Sequence, residues 1–194
     1  MSVIFLNGCT SAGKSSVAKT VQNQLSAPFL LTGIDHAFSM LPANLHNNPD
    51  GFFFDRDRDG LLRLNFGSFG LATLKAHIHS VAAIAHTGMN LILDEVILTA
   101  DLRKEWVEHL SGTDVMLVGV RCDLQELERR ESERGDRVIG QARGQYDIVH
   151  ADMCYDLEID TTGIATNDAA NIVVEAFLQN GHGHALKQLA KRQS

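Results

Sequence analysis

Between Gly8 and Ser15 the sequence reads glycine, four residues, glycine, lysine, serine, directly after the apolar run Val3–Leu6. That pattern is suited to holding a chain of phosphates. Its glycines let backbone amides turn inward around an anion. The helix expected to start at Lys14 adds partial positive charge at its N-terminus. A lysine in this position bridges β- and γ-phosphates, and the serine hydroxyl after it ligates Mg2+. The spacing therefore predicts that Gly8, Ser11, Ala12, Gly13, Lys14, Ser15 and Ser16 bind ATP, with Mg2+ on Ser15. A second anchor for the metal is required near the tip of a neighbouring buried strand. Asp94, in Leu91–Glu95, is placed to supply it through water.

A phosphate loop by itself does not say where the phosphate goes. A guanine-reading switch needs an Asn-Lys-x-Asp segment, and no Asn-Lys pair occurs. Asp57–Gly60 matches Asp-x-x-Gly by letter, but it sits in a polar turn between two apolar arms and reads as a hairpin tip. A motor ATPase would use Glu95 to polarise water, yet a chain this short leaves little room for parts to be moved. Transfer to a small acceptor needs a base, mobile positive charge and a cover that excludes water. Asp35, after the second strand-like run, is the candidate base; it could also cap the helix that follows. Arg134, Arg137 and Arg143 lie around two glycines in the segment 133–143 and read as a hinged basic lid. Guanidinium groups of this kind clamp phosphate oxygens.

Other residue types were weighed for chemistry. Cys9 lies inside the anion loop, and it is either a thiol whose pKa the amides and Lys14 lower or an inert small residue. His36 adjoins Asp35 and is a possible acceptor contact. His77 and His79 are two apart on a helix, so they point to different faces and make no metal pair between them. The clusters Phe38, Met40, Leu41 and Phe52, Phe53, Phe54 are either core or the wall of an apolar acceptor pocket.

These groups must be positioned by buried strands alternating with helices. Strands are expected at 3–7, 29–34, 90–98, 114–122 and 155–162. Helices are expected at 14–25, 35–42, from after 67 to 86, 101–112, 123–134 (capped by Asp123) and 167–180, and a hairpin at 51–67. Continuous apolar strands separated by helices imply an α/β fold, a five-stranded parallel sheet flanked by helices, with a helical, Arg-rich lid. A single domain is expected over 1–180, followed by a basic tail or short helix over 181–194. The net charge of −7 argues against nucleic acid as a partner. No apolar run reaches the roughly 18 residues that cross a bilayer. The three cysteines are widely spaced, which fits a reducing, cytoplasmic setting.

The segments IFLNG, SAGKSS, GIDHAFSMLP, LILDEVIL, VGVRCD, ERGDRVIGQA and YDLEIDTT, taken in order from about Ser2 to Val174, resemble the chloramphenicol 3-O-phosphotransferase family. The resemblance implies a P-loop kinase fold and ATP-dependent phosphorylation of a hydroxyl on a small acceptor, chloramphenicol. It matches Asp35 to the family's base, Lys14 and Ser15 to its phosphate loop, Arg134 and Arg137 to its basic segment, and Asp94 to its strand-tip carboxylate. Cys9, Thr10 and the segment 44–66 depart from the family pattern.

Overall fold

The computed structural model describes residues 2–135, 138–179 and 183–193. The chain begins with β1 (Val3–Gly8), α1 (Lys14–Gln24), β2 (Leu30–Gly33) and α2 (Ile34–Ser39). An antiparallel hairpin follows, β3 (Phe52–Arg56) and β4 (Leu62–Phe66), and then α3 (Ser68–His86), β5 (Leu91–Glu95), α4 (Ala100–His109) and β6 (Val115–Arg121). Helices α5 (Leu124–Arg134) and α6 (Gln141–Tyr146) precede β7 (Leu157–Asp160), α7 (Thr166–Gln179) and α8 (His184–Gln193).

Five strands form one parallel sheet in the order β2-β5-β1-β6-β7. Because side chains alternate along a strand, each strand feeds both faces. Val3, Phe5, Leu91, Leu93, Val115 and Leu117 face α3, α4 and α8. Ile4, Leu6, Ile92, Met116, Val118 and Val120 face α1 and α7. Burial on both sides explains why these strands read as unbroken apolar runs. Trp106 of α4 seals the first layer edge-on to Phe5, with ring centroids 5.0 Å apart.

Register determines what meets at the carboxyl edge of the sheet. Leu6 pairs with Asp94, Asn7 with Glu95, and Gly33 with Asp94. The phosphate loop, Asp94 and the start of α2 therefore lie level, at the point where the order reverses from β5 to β1 to β6. Ligands of doubly wound sheets bind at such a switch point.

Asn7 ties this edge together from beneath. It is fully buried, its Nδ2 donates to Val149 O and Tyr155 Oη, each at 2.8 Å, and its Oδ1 accepts from Ile97 N at 2.9 Å. The hairpin stands apart from the main sheet. Its ends meet at a neck, where Gly67 N donates to Gly51 O at 2.8 Å. Asp57 organises its tip, accepting from the amides of Asp59 and Leu61, so Asp57–Gly60 is the turn its letters suggested.

One local expectation needs revision, and one alternative is resolved. Asp123 precedes α5 but its side chain makes no capping bond; its N–H instead donates to Thr162 Oγ1 at 2.9 Å, docking α5 to the end of β7. The basic C-terminal stretch forms the ten-residue α8, which buries Ala185, Leu186 and Leu189 against the core.

Candidate active site

The loop between β1 and α1 is shaped by two glycines. A Cβ on Gly8 would lie 2.3 Å from Val120 O, so only glycine lets β1 end this close to β6. Gly13 has φ 83°, a left-handed conformation that glycine adopts without a penalty. Ser11 is also left-handed, at φ 61°. Left-handed residues in such a loop turn amides into an anion-binding concavity. Ser11 Oγ is buried and has no hydrogen-bond partner among the described residues. A hydroxyl left so costs about 1–3 kcal/mol, and an anion oxygen in the loop would relieve it.

Lys14 is buried, donates to Cys9 O at 2.9 Å and lies 3.8 Å from Asp94 Oδ1. Ser15 Oγ donates to Asp94 Oδ2 at 2.5 Å. The lysine, the serine and the strand-tip carboxylate thus form one connected group. Ser11, Gly13, Lys14, Ser15, Ser16 and Asp94 all line a single cleft of about 350 Å3. Ala12 does not line it: its amide donates to Cys9 O at 3.3 Å and its carbonyl accepts from Thr161 Oγ1 at 2.9 Å. Gly8 sits behind the loop, as its contact with Val120 requires.

Neighbouring carboxylates on β5 have opposite fates. Asp94 shares a face with Ile92 and opens on the cleft, whereas Glu95 shares a face with Leu91 and Leu93. Glu95 is buried and bonds His77 Nε2 at 3.1 Å, and burial raises its pKa. It does not line the cleft, so the water-polarising role open to it in the sequence has no support in the geometry.

The same cleft is lined by Asp35, in the first turn of α2. Gly33, two residues before it, occupies the cap position. Beside it the wall becomes apolar, formed by Ile34, Phe38, Leu64, Val96 and Leu98. Phe52 belongs to the core instead, edge-on to Phe38 at 4.3 Å and to Phe66 at 5.6 Å. His36 turns away to Thr32 Oγ1, at 2.9 Å, and is not part of the lining.

The basic side of the cleft is built by α5. Arg134 lines it, and so does Arg130, one turn earlier on the same helix face. Arg130 is held by Glu126 Oε1 and Thr161 O, both at 2.7 Å. Glu126 also chelates Arg129, and the two guanidinium groups, Arg129 foremost, hold its carboxyl down to about 2. The four-residue spacing of Arg130 and Arg134 was the available signal for this missed residue. Arg143 pairs with Glu128 at 2.6 and 3.0 Å and does not line the cleft, so it is no phosphate clamp here. Arg137 lies outside the described residues.

Four more residues escaped the sequence. Gln145 of α6 accepts from Thr10 N at 2.7 Å, fastening the phosphate loop to the end of the lid segment. Buried Glu131 accepts from the amides of Gly140 and Ala142 at 2.7 and 2.8 Å, fixing the same segment's return. Gln141 lines the cleft between them. Arg63 of β4 donates to Asp57 and to the Gly144 carbonyl, so the hairpin is joined to α6 as well. For Cys9 the geometry supports the inert of its two readings. Burial pushes its thiol up to about 11, outweighing the opposing pull of Lys14. It is a packed side chain and not an activated nucleophile.

Comparison with known proteins now bears directly on this arrangement. Residues 1–178 match the family described as "Chloramphenicol phosphotransferase-like protein". The chain belongs to that family. Family membership makes it an ATP-dependent small-molecule kinase, a phosphotransferase of the P-loop class. Among its relatives is the Mycobacterium tuberculosis (strain H37Rv) protein named "Putative O-phosphotransferase Rv2636". It is 32% identical over 198 residues, spanning 98% of this chain and 88% of the relative. The APS kinase CysC of M. tuberculosis shares the fold at TM-score 0.65 and 17% identity, over 92% of this chain and 98% of that one. The tunicamycin resistance protein of Deinococcus radiodurans does so at 0.62 and 14%, over 93% and 98%. A gluconokinase from Sinorhizobium meliloti 1021 gives 0.59 and 14%, over 99% and 95%. Among the described residues of this family member, no helix is long and apolar enough to cross a membrane.

Proposed function

We propose that this chain transfers the γ-phosphoryl group of ATP to a hydroxyl of chloramphenicol. The carrying observation is that one cleft is lined both by the phosphate loop and by Asp35 with a group of apolar side chains. Ser11, Gly13, Lys14 and Ser15 form a cradle for phosphates. Asp35 and the apolar wall of Ile34, Phe38, Leu64, Val96 and Leu98 suit an amphipathic alcohol with an aromatic body. Domain closure is proposed to end with α7, with α8 as an added helix.

The residues present fit both ATP and Mg2+. The orphaned Ser11 hydroxyl, the left-handed loop and buried Lys14 match a triphosphate. Ser15 and Asp94, already in contact, match a hard cation that keeps several waters. Bound there, Mg2+ would neutralise charge on the phosphates. Lys14 orients the donor and is freed from Cys9 O and Asp94 to do so. Asp35 orients the acceptor hydroxyl and takes its proton as the new bond to phosphorus forms. Arg134, with Arg130 beside it, steadies the charge spread over the transferring group; Arg137 is assigned the same role from the sequence alone. Glu95 is turned away, so the carboxylates that line the cleft are Asp94, assigned to the metal, and Asp35, assigned to the acceptor hydroxyl.

The test is incubation with γ-labelled ATP, Mg2+ and chloramphenicol. Label on the drug supports the assignment. Label transferred to another alcohol but not to chloramphenicol would keep the kinase and replace the acceptor. Label in free phosphate alone, unchanged by any alcohol, would overturn the roles given to Asp35 and the apolar wall.

A further inference from the structure

Away from the cleft, α3 and α4 bring three metal-ligating side chains together. His79 lies on α3. Glu105 and His109 are four residues apart on α4 and so share a face. One donor atom from each lies within 4.8 Å of the other two, the one such trio of His, Cys, Asp or Glu among the described residues. None of them lines the cleft.

Glu105 is divided between two tasks. Its Oε1 accepts from Lys75 Nζ at 2.5 Å, one turn before His79 on α3. Its Oε2 faces the two imidazoles, at 3.5 Å from His79 Nε2 and 3.5 Å from His109 Nε2. A tetrahedral ion with bonds of about 2.0–2.2 Å to nitrogen and oxygen sets its ligand atoms about 3.3–3.6 Å apart. Both measured edges already match. The remaining edge joins two rings whose centroids are 4.0 Å apart and whose planes are tilted by 44°, so a modest ring rotation brings both nitrogens onto one ion. Lys75 plays the part of an outer partner that fixes the carboxylate's orientation. An ordinary ion pair would be complete with Lys75 alone. Two further imidazoles converging on the second oxygen are what an ion site adds.

We propose that His79, Glu105 and His109 form a surface site for one divalent transition ion of the zinc class, with water completing a four-coordinate shell. Two imidazoles and a carboxylate select Zn2+, Ni2+ or Cu2+ over Mg2+, so this site does not compete for the ion assigned to Ser15 and Asp94. Its effect is mechanical: the ion would cross-link two helices that otherwise meet by side-chain packing and the Lys75–Glu105 ion pair.

The experiment uses the full chain, purified without a histidine tag and stripped with a chelator. Co2+ is titrated and followed by the visible absorption of four-coordinate cobalt, then displaced by Zn2+. The expected result is saturation at one ion per chain. At a hundredfold excess of Zn2+ over Kd the melting temperature should rise by about 5–10 °C. The double variant His79→Ala/His109→Ala should weaken binding by at least about 100-fold, the upper end of what losing an outer partner alone produces. Both rings are substantially exposed, at 53% and 37%. The stripped variant should therefore melt as the stripped wild type does and retain its turnover with MgATP. Cobalt binding of unchanged affinity and stoichiometry in the double variant would overturn the site, because the ion would then sit elsewhere. Absence of saturable binding to the wild type would overturn it equally. Should the double variant fail to fold, Glu105→Gln provides the same readout. None of these measurements depends on phosphoryl transfer, so failure here leaves the proposed function standing, and the reverse.

Discussion

Replacing Asp94 with asparagine removes a negative charge from the centre of the donor end, and the structure sets the size of the effect. Asp94 stands 3.8 Å from Lys14 Nζ and accepts from Ser15 Oγ at 2.5 Å, with side-chain exposures of 20% for the aspartate and 7% for the lysine. Two unit charges at that distance attract by about 4 kcal/mol at an effective dielectric of 20. Breaking one side of a buried pair costs about 3–5 kcal/mol, because the surviving charge stays buried. Water reaches Asp94, and Lys14 keeps the Cys9 carbonyl, so a net loss of about 1–3 kcal/mol is expected. For a chain of this size that is a fall in melting temperature of roughly 3–10 °C without nucleotide. Thermal unfolding followed by circular dichroism measures it. The same variant should respond differently to ligands. Metal-free ATP should stabilise it at least as much as it stabilises the wild type, since Lys14 has lost its resident counter-charge. The further increment on adding Mg2+ should vanish, and turnover should fall with it. A variant that melts like the wild type and keeps the full Mg2+ increment would refute Asp94 as both counter-ion and metal anchor.

Other predictions are narrower. Asp35→Asn should lower kcat by about 10^2–10^4-fold, the usual range for loss of a general base, while the KM for ATP stays within a few-fold; steady-state kinetics with both substrates varied would show it, and full activity would remove Asp35 from the mechanism. Cys9 should react with iodoacetamide at pH 8 at one slow rate, with or without MgATP, because its thiol is buried and titrates near 11; rapid labelling that ATP suppresses would contradict its placement. His150 is pushed down to about 4, first by burial and then by Arg121. An unfolded histidine takes up its proton near 6.5, so the unfolded state binds protons first as pH falls. Stability from this residue is present above about pH 6.5 and is lost towards pH 4; the pH slope of urea unfolding should be shallower in His150→Gln, and an unchanged slope would count against it.

Much of this arrangement is legible in the residues, for identifiable reasons. The phosphate loop is local: one strand end, one turn and one helix start, all within Val3–Gln24. Asp94 could be placed because a strand tip beside such a loop has few alternatives. What eluded sequence reading depends on contacts between distant segments. The pairing of Glu95 with His77, away from the cleft, rests on which face of β5 meets α3, and that is set by pairing with β1 and β2. Arg143 looked as much like a clamp as Arg134 until α6 carried it to Glu128. Arg130, by contrast, was readable from its spacing to Arg134, but of the groups that aim it only Glu126, its ion-pair partner, lies on α5, whereas the Thr161 carbonyl lies just beyond β7. Glu131, Gln145 and Asn7 carry no motif at all. They are polar groups satisfied by backbone atoms far away in sequence, and only the fold brings those atoms near. Cys9 shows that a residue inside an anion loop can still face the core, where desolvation outweighs the nearby positive charge.

The narrow neck of the hairpin has an evolutionary reading. Gly51 and Gly67 are joined by a backbone hydrogen bond, so the strands between them leave and re-enter the body at almost one point. A segment with that connectivity behaves like a cassette. It can be lengthened, shortened or exchanged while the flanking chain keeps its path, and the donor apparatus on β1, α1 and β5 need not register the change. The constraint on such an exchange comes from Arg63 and its bond to the Gly144 carbonyl, which keeps the cassette in step with α6. One kinase body could in this way acquire new alcohols by replacing about fifteen residues.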